Sequence, residues 1–259
     1  MSIAASLVKE LREKTGVGMM DCKKALEHSG GDFEAAVKYL REKGLAAVSK
    51  KSDRETKEGK VFVALSADQK KGVILELNCE TDFVANNTAF SNLGNTLAQE
   101  ALANPAHAEA LVNSPLISEC VLKLGENITL KRQAALAAGA ISSYIHMNGK
   151  IGVLIGFTSP VDVALGKDVA MHTAAAAPTY LLQSEVPADE IEKEKDIIRQ
   201  QAINEGKPPE IAEKMVMGRM NKYYKDVCLV DQDFVKDPAV TISKLVNGNT
   251  ITGFLRFAF

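Results

Sequence analysis

The sequence predicts an α+β protein with antiparallel sheets, and three observations carry that prediction. Apolar residues recur at helical spacing between Ile3 and Leu40, alternate between Val61 and Phe157, and return to helical spacing between Pro187 and Val227. A strand-strand-helix order occurs twice. Gly72-Val73-Ile74-Leu75 in the first copy aligns with Gly152-Val153-Leu154-Ile155 in the second, which points to two related halves rather than a longer repeat array.

The N-terminal helices come first. Leu7, Val8 and Leu11 mark one face of a helix from Ile3 to Lys14, which Thr15-Gly16-Val17-Gly18 interrupts. Met19 to His28 forms a second helix, ended by Ser29-Gly30-Gly31, where glycine supplies the left-handed conformation of a helix stop. Asp32 caps a third helix whose buried face holds Ala36, Val37 and Leu40. From Gly44 to Gly59 the apolar period fades and charge rises, which predicts a linker. Its basic run, Lys50, Lys51, Arg54, Lys57 and Lys60, is read as solvated linker in preference to an RNA contact.

Strands follow. Val61 to Leu65 and Val73 to Cys79 flank the polar turn Asp68 to Lys71, with Val73, Leu75, Leu77 and Cys79 on one face. A helix carries Phe90, Leu93, Leu97 and Ala101 inward, capped by Asn87 or Thr88. The second copy runs from Ile141 to Met147, through an Asn148-Gly149 turn of the two-residue type I′ kind, to Ile151–Phe157 and a helix from Leu165 to Ala177. Two helices then meet at Glu205-Gly206-Lys207-Pro208-Pro209, with Ile191, Ile198 and Ala202 inward, and form a protruding hairpin. A strand at Val227 to Val230, a helix near Thr241 to Val246 and a strand from Thr250 to Phe259 complete the second half. The expected divisions are 1–52, 53–139, 140–185 with 227–259, and the hairpin 186–226.

Composition narrows the function classes. The 259 residues are 46% hydrophobic and 25% charged with a net charge of −2, an ordinary globular balance without the broad basic footprint of a nucleic-acid binder. No apolar run approaches the roughly 20 residues of a membrane helix, and Met1 to Leu11 lacks a signal-peptide core, so a cytoplasmic protein is expected. Cys22, Cys79, Cys120 and Cys228 form no Cys-x-x-Cys pair, and His28, His107, His146 and His172 no metal-ligand spacing. No phosphate loop is present. Cys79 lies beside Glu80 and Asp82, whose carboxylates suppress a thiolate, and Glu76, Glu80 and Asp82 lack an oxyanion stabiliser or cofactor nearby. No cofactor, no metal and no enzymatic chemistry are expected.

One loop stands out. Thr81-Asp82-Phe83-Val84 sets an acid beside an aromatic where a strand gives way to a helix. From the residues alone, Asp82 bonding local backbone while Phe83 folds into the core is the favoured arrangement; outward presentation of both is the functional one. Met19 and Met20 divide evenly between helix core and a partner-facing patch.

Asn78-Cys79-Glu80-Thr81-Asp82-Phe83-Val84 resembles the signature of the elongation factor Ts family, the bacterial guanine-nucleotide exchange factors. Leu11-Arg12-Glu13-Lys14-Thr15-Gly16-Val17-Gly18-Met19-Met20-Asp21-Cys22-Lys23-Lys24-Ala25-Leu26 resembles its N-terminal motif, and the likeness continues through Gly125-Glu126-Asn127-Ile128, Gly206-Lys207-Pro208 and Gly253-Phe254-Leu255-Arg256-Phe257. The resemblance implies a ubiquitin-associated-like three-helix module, a duplicated α+β core and an inserted antiparallel coiled coil. It implies the GTPase elongation factor Tu as partner, and a homodimer or a factor Tu–Ts complex as the assembly. By the same resemblance Thr81, Asp82, Phe83 and Val84 form the loop that disturbs the partner's magnesium site, with Asp82 and Phe83 intruding. Met19, Met20, Lys23, Leu124, Gly125, His146, Phe234 and Val235 match further contact positions.

Overall fold

A computed structural model describes residues 3–259, apart from the side chain of Ser49; the first two residues of the expected 1–52 unit lie outside the described residues. Helices α1 (Ala5–Thr15), α2 (Met19–His28) and α3 (Phe33–Lys51) bury Val8, Leu11, Cys22, Ala25, Leu26, Ala36 and Leu40 against one another. Gly16 ends α1 at φ 67°, and the Asp32 carboxylate accepts from the backbone N–H of Ala35 at 2.8 Å to cap α3. Contrary to the linker expected from Gly44, α3 runs on to Lys51. Gly44 is the reason. A β-carbon there would lie 3.0 Å from the Ser118 carbonyl oxygen, so the missing side chain lets α3 pack closely on a later helix. A tertiary contact has outweighed the poor helix propensity of glycine. The basic run is therefore not one linker: Lys50 and Lys51 end a helix, and Lys60 is buried in a strand.

Strands β1 (Glu58–Leu65), β2 (Lys71–Cys79) and β3 (Ile128–Ala137) form an antiparallel sheet with β2 in the middle. Between β2 and β3 lie the short turn α4 (Asp82–Ala85), α5 (Thr88–Ala103), a 3-10 stretch from Pro105 to Asn113, and α6 (Pro115–Leu124). Strands β4 (Ala140–His146) and β5 (Ile151–Phe157) begin the second half, and α7 (Val163–Ala176) follows. The hairpin helices are α8 (Ala188–Asn204) and α9 (Pro209–Val227), with Ile198, Val216 and Met220 buried between them. A small ribbon of β6 (Asp233–Phe234) and β7 (Asp237–Thr241), the turn α10 (Ile242–Leu245) and β8 (Ile251–Ala258) close the chain. β8 joins β4 and β5 in a second antiparallel sheet with β5 central, so the architecture is α+β.

The two sheets pack face to face through Val61, Ile74, Ile141, Leu154 and Phe257. Their outer faces are covered by α5 and α6 on one side and by α7 on the other. The aligned glycines of the duplication acquire a physical role here. A β-carbon on Gly152 would meet Val61 Cγ1 at 2.4 Å, and one on Gly72 would meet Leu65 and Leu154 side chains at 2.9 and 3.1 Å. Both central strands therefore give up a side chain so that the sheets can approach. Arg132 fastens the same seam: its Nε donates to the buried Glu76 carboxylate at 2.6 Å, Nη2 donates to the Ala258 carbonyl, and the guanidinium lies 4.2 Å from the Phe257 ring centre.

Two further expectations are corrected. The Asn148-Gly149 turn is not a two-residue type I′ turn, because His146 pairs with Ile151 and leaves four residues in the loop. Residues 227–230 are not a strand; α9 continues to Val227, and Leu229–Asp231 form a 3-10 turn. α6, β3 and the β6–β7 ribbon had no counterpart in the sequence reading.

Gly94 on α5 offers a direct test of the packing. A β-carbon there would fall 2.2 Å from the Phe62 ring, which lies against the helix backbone. Gly94→Ala is expected to destabilise the protein by about 1–3 kcal/mol in denaturant unfolding, despite its better helix propensity.

Candidate functional site

β2 delivers its C-terminal end, Cys79, to a turn that the rest of the core holds firmly. Thr81 is the N-cap of α4: its hydroxyl accepts from Val84 N–H at 3.4 Å and donates to Glu126 Oε1 at 2.6 Å. The other oxygen of Glu126 accepts from the backbone N–H groups of Glu80 and Thr81 at 3.1 and 3.0 Å. Glu80 returns the contact, accepting from the Asn127 N–H at 2.6 Å. Each carboxylate thus satisfies the other loop's backbone donors, which would otherwise be left unpaired at strand ends. Asn127, buried, adds a bond from Nδ2 to the Arg54 carbonyl at 2.9 Å.

What this frame presents is unequal. Val84 and Ala85 enter the core beside Phe90 and Leu93, whereas Phe83 is 84% exposed. Asp82 is exposed too, and its carboxylate makes no hydrogen bond or ion pair among the described residues. The arrangement favoured from the residues alone, Phe83 in the core and Asp82 on local backbone, is therefore corrected. Val84, the next residue, takes the core position, because in a four-residue helix only one side of the turn faces the sheet.

Leu124 and Gly125 end α6 directly before Glu126, so the same carboxylate ties them to the Asp82–Phe83 turn. Leu124 is half-buried against the core; Gly125 is exposed at φ 81°. His146 is exposed at the end of β4, its Nδ1 within 3.0 Å of the Tyr144 hydroxyl. The loop after it reaches the site through Asn148 Nδ2, which donates to Asn86 Oδ1 at 3.0 Å. Met19 and Met20, at 52% and 64% exposure, and Lys23 stand on the surface of α2. Helix core is thus not where those methionines lie.

Phe234 and Val235 differ from each other. The Phe234 ring is buried in the second half, 6.0 Å from the ring of His172, and only Val235 is exposed. His172 holds this segment. Val235 N–H donates to Nδ1 at 3.2 Å, which fixes the tautomer and leaves Nε2–H to donate to Gln232 Oε1 at 2.9 Å. The residues that sequence reasoning left without a role are Glu126, Asn86 and His172. For Glu126 a signal existed in its place beside Gly125; for the other two the partners are too distant in sequence.

One titratable group bears on the chemistry. Burial, with Glu126 and Glu58 adding to it, pushes the Cys79 thiol up to about 12. Among the described residues no group of three or more His, Cys, Asp or Glu side chains is placed to hold a metal ion.

A family model described as Elongation factor TS matches residues 80–259, beginning at the glutamate whose carboxylate faces Asn127. The chain belongs to the elongation factor Ts family. As a member of that family it is a nucleotide exchange factor for elongation factor Tu. The matched span covers the Glu80–Ala85 turn, Leu124–Asn127, both hairpin helices and the whole second sheet; α1 to α3, β1 and β2 precede it. No helix among the described residues is long and apolar enough to cross a membrane.

A thiol-directed reagent at neutral pH is expected to leave Cys79 unmodified in the folded protein, since a thiol at about 12 is ionised to only on the order of one part in 10⁵; labelling after denaturation provides the control. His172 predicts a pH dependence. Burial lowers its folded pKa below the ordinary 6.5, opposed by the Gln232 bond, so the unfolded chain takes up the proton first. Its contribution is present above about pH 6.5 and is lost as pH falls below that value, with a limiting slope of about 1.4 kcal/mol per pH unit. Thermal melts between pH 7.5 and 5.5 should show a flatter pH dependence for His172→Gln than for the parent.

Proposed function

We propose that this exchange factor binds elongation factor Tu carrying GDP and presses Asp82 and Phe83 towards the magnesium and phosphate site, so that GDP leaves and GTP can enter. The observation that carries this reading is the exposure of the Phe83 ring, 84%, on a turn fixed by the Glu80 and Glu126 carboxylates and beside the exposed Asp82. A large apolar side chain held in water without packing partners is costly unless a partner covers it. A rigid aromatic loses little conformational freedom on docking.

Thr81 and Val84 shape the turn, and Asp82 and Phe83 touch the partner. Leu124, Gly125 and His146 extend the contact on the core; Met19, Met20 and Lys23 contribute from the N-terminal helices, and Val235 from the second half, with Phe234 supporting it from below. In this reading residues 1–52, the two core halves and the hairpin 186–226 act as separate units of one docking body, in the cytoplasm where translation takes place.

The mechanism needs no bond to be made or broken and no cofactor. Magnesium demands near-ideal octahedral geometry, so a small displacement of the loops around it weakens the ion and, with it, the nucleotide phosphates. Linkage makes the effect mutual: a factor that weakens GDP binding is itself weakened by GDP to the same degree, which lets it depart once nucleotide rebinds.

Release of labelled GDP from elongation factor Tu tests the reading. Phe83→Ala and Asp82→Ala are each expected to slow release about tenfold or more, the scale of an interface hot spot, while shifting folding stability by less than about 0.5 kcal/mol. Val84→Ala should do the reverse, costing about 1–2 kcal/mol of stability with little effect on release by the folded fraction. Unchanged release by both Asp82→Ala and Phe83→Ala would refute the proposal.

A further inference from the structure

We infer that Met147, at the tip of the β4–β5 hairpin that is bonded to the Phe83 turn, is a further apolar contact for the same GTPase; the inference rests on the reading of Phe83 given above. The tip is built unusually. Met147, Asn148 and Gly149 take φ values of 48°, 54° and 97°, three consecutive residues in the left-handed region. Asparagine and glycine adopt that conformation readily, but methionine does so under strain. Packing does not repay it, because the Met147 side chain is 68% exposed. Strain kept in a residue with no role in the core is characteristic of contact and switch positions.

The loop beneath Met147 is well supported. Gly149 lies against the Lys60 side chain, where a β-carbon would come 3.0 Å from its Cβ and Cγ, and the Lys150 ammonium pairs with the Glu58 carboxylate. Asn148 Nδ2 donates to Asn86 Oδ1 at 3.0 Å, and Asn86 is the C-cap of the α4 turn that carries Phe83. Met147 and Phe83 therefore project from two loops joined by one hydrogen bond. Ile145, 41% exposed and two residues back along β4, continues the apolar surface from the strand end.

That continuity identifies the occupant. A protein surface that covers Phe83 meets the neighbouring loop as well, and clustered apolar anchors that exclude water from one another are how interface energy concentrates. Methionine suits the position, since its unbranched thioether adapts to the contour it meets.

Met147→Gly separates contact from structure, because glycine accepts the left-handed backbone freely while removing the side chain. The expected result is at least a fivefold loss of affinity for nucleotide-free elongation factor Tu by titration calorimetry, with a proportionate slowing of labelled GDP release at sub-saturating concentration. The unfolding midpoint of the variant should stay level or rise. Met147→Leu should restore most of the affinity. If Met147→Gly binds and exchanges as the parent does while Phe83→Ala is slowed, this inference fails and the reading of Phe83 stands. If neither variant changes, both fail. A lowered midpoint for Met147→Gly would show that the side chain serves folding and would overturn the inference. So would loss of self-association in sedimentation with unchanged factor Tu binding, which would assign the contact to a second copy of the chain.

Discussion

The middle strand of the first sheet, β2, is buried along both faces over almost its whole length, and most of the molecule follows from that. A strand that alternates side chains between two dry faces needs a layer on each side. Leu75, Leu77 and Cys79 meet α5 and α6, while Gly72 and Ile74 meet the second sheet. The second sheet repeats the solution with β5, whose Leu154 points back to the first sheet and whose Val153, Ile155 and Phe157 meet α7. Duplication then supplies two half-cores that share one seam, and Arg132 reaches across it to the backbone and ring at the end of β8.

Rigidity at the end of β2 is what makes the exposed turn useful. The carboxylates of Glu80 and Glu126 exchange hydrogen bonds between the Glu80–Thr81 and Glu126–Asn127 segments, which are the exit of one strand and the entry of another. Hydrogen bonds to ionised acceptors are stronger than neutral ones, and among the described residues five of them converge here once those from the Thr81 hydroxyl and the Arg54 guanidinium are included. Phe83 can be left in water because Val84 and Ala85, one step further along the same turn, are anchored in the core. Exposure and anchoring belong to adjacent residues of one short helix, which ties the contact residue to the most buried part of the protein.

Much of this was legible in the chain. The period-two face Val73, Leu75, Leu77 and Cys79 of β2, the spacing of Phe90, Leu93, Leu97 and Ala101, the Asp32 cap and the breaks at Gly16, Gly30 and Gly206 are local signals, and local physics obeys them. The failures are equally specific. Gly44 reads as a helix end, yet α3 continues because Ser118 lies against it. β3 was hidden by its mixture of charged and alanine residues; what makes it a strand is its ladder with β2, to which Arg132 adds its bond to Glu76 and its contact with Phe257. Asn148-Gly149 announced a hairpin but not its length, since the bond to Asn86 and the packing on Lys60 set the loop.

The sequence by itself determined the α+β class, the duplication, the helical hairpin and, through its motifs, the family to which the chain belongs. It also located the loop that joins an acid to an aromatic. Only the tertiary structure decided which way that loop faces. Burial preferences assign a phenylalanine to the core, and within the segment Phe83 and Val84 are both apolar, so nothing local distinguishes them. The choice is made by Glu126, some forty residues away along the chain, whose bonds to Glu80 and Thr81 set the rotation of the turn. That rotation buries Val84 and leaves Phe83 in water, because a single helical turn packed on a sheet has room for only one of them on its inner side.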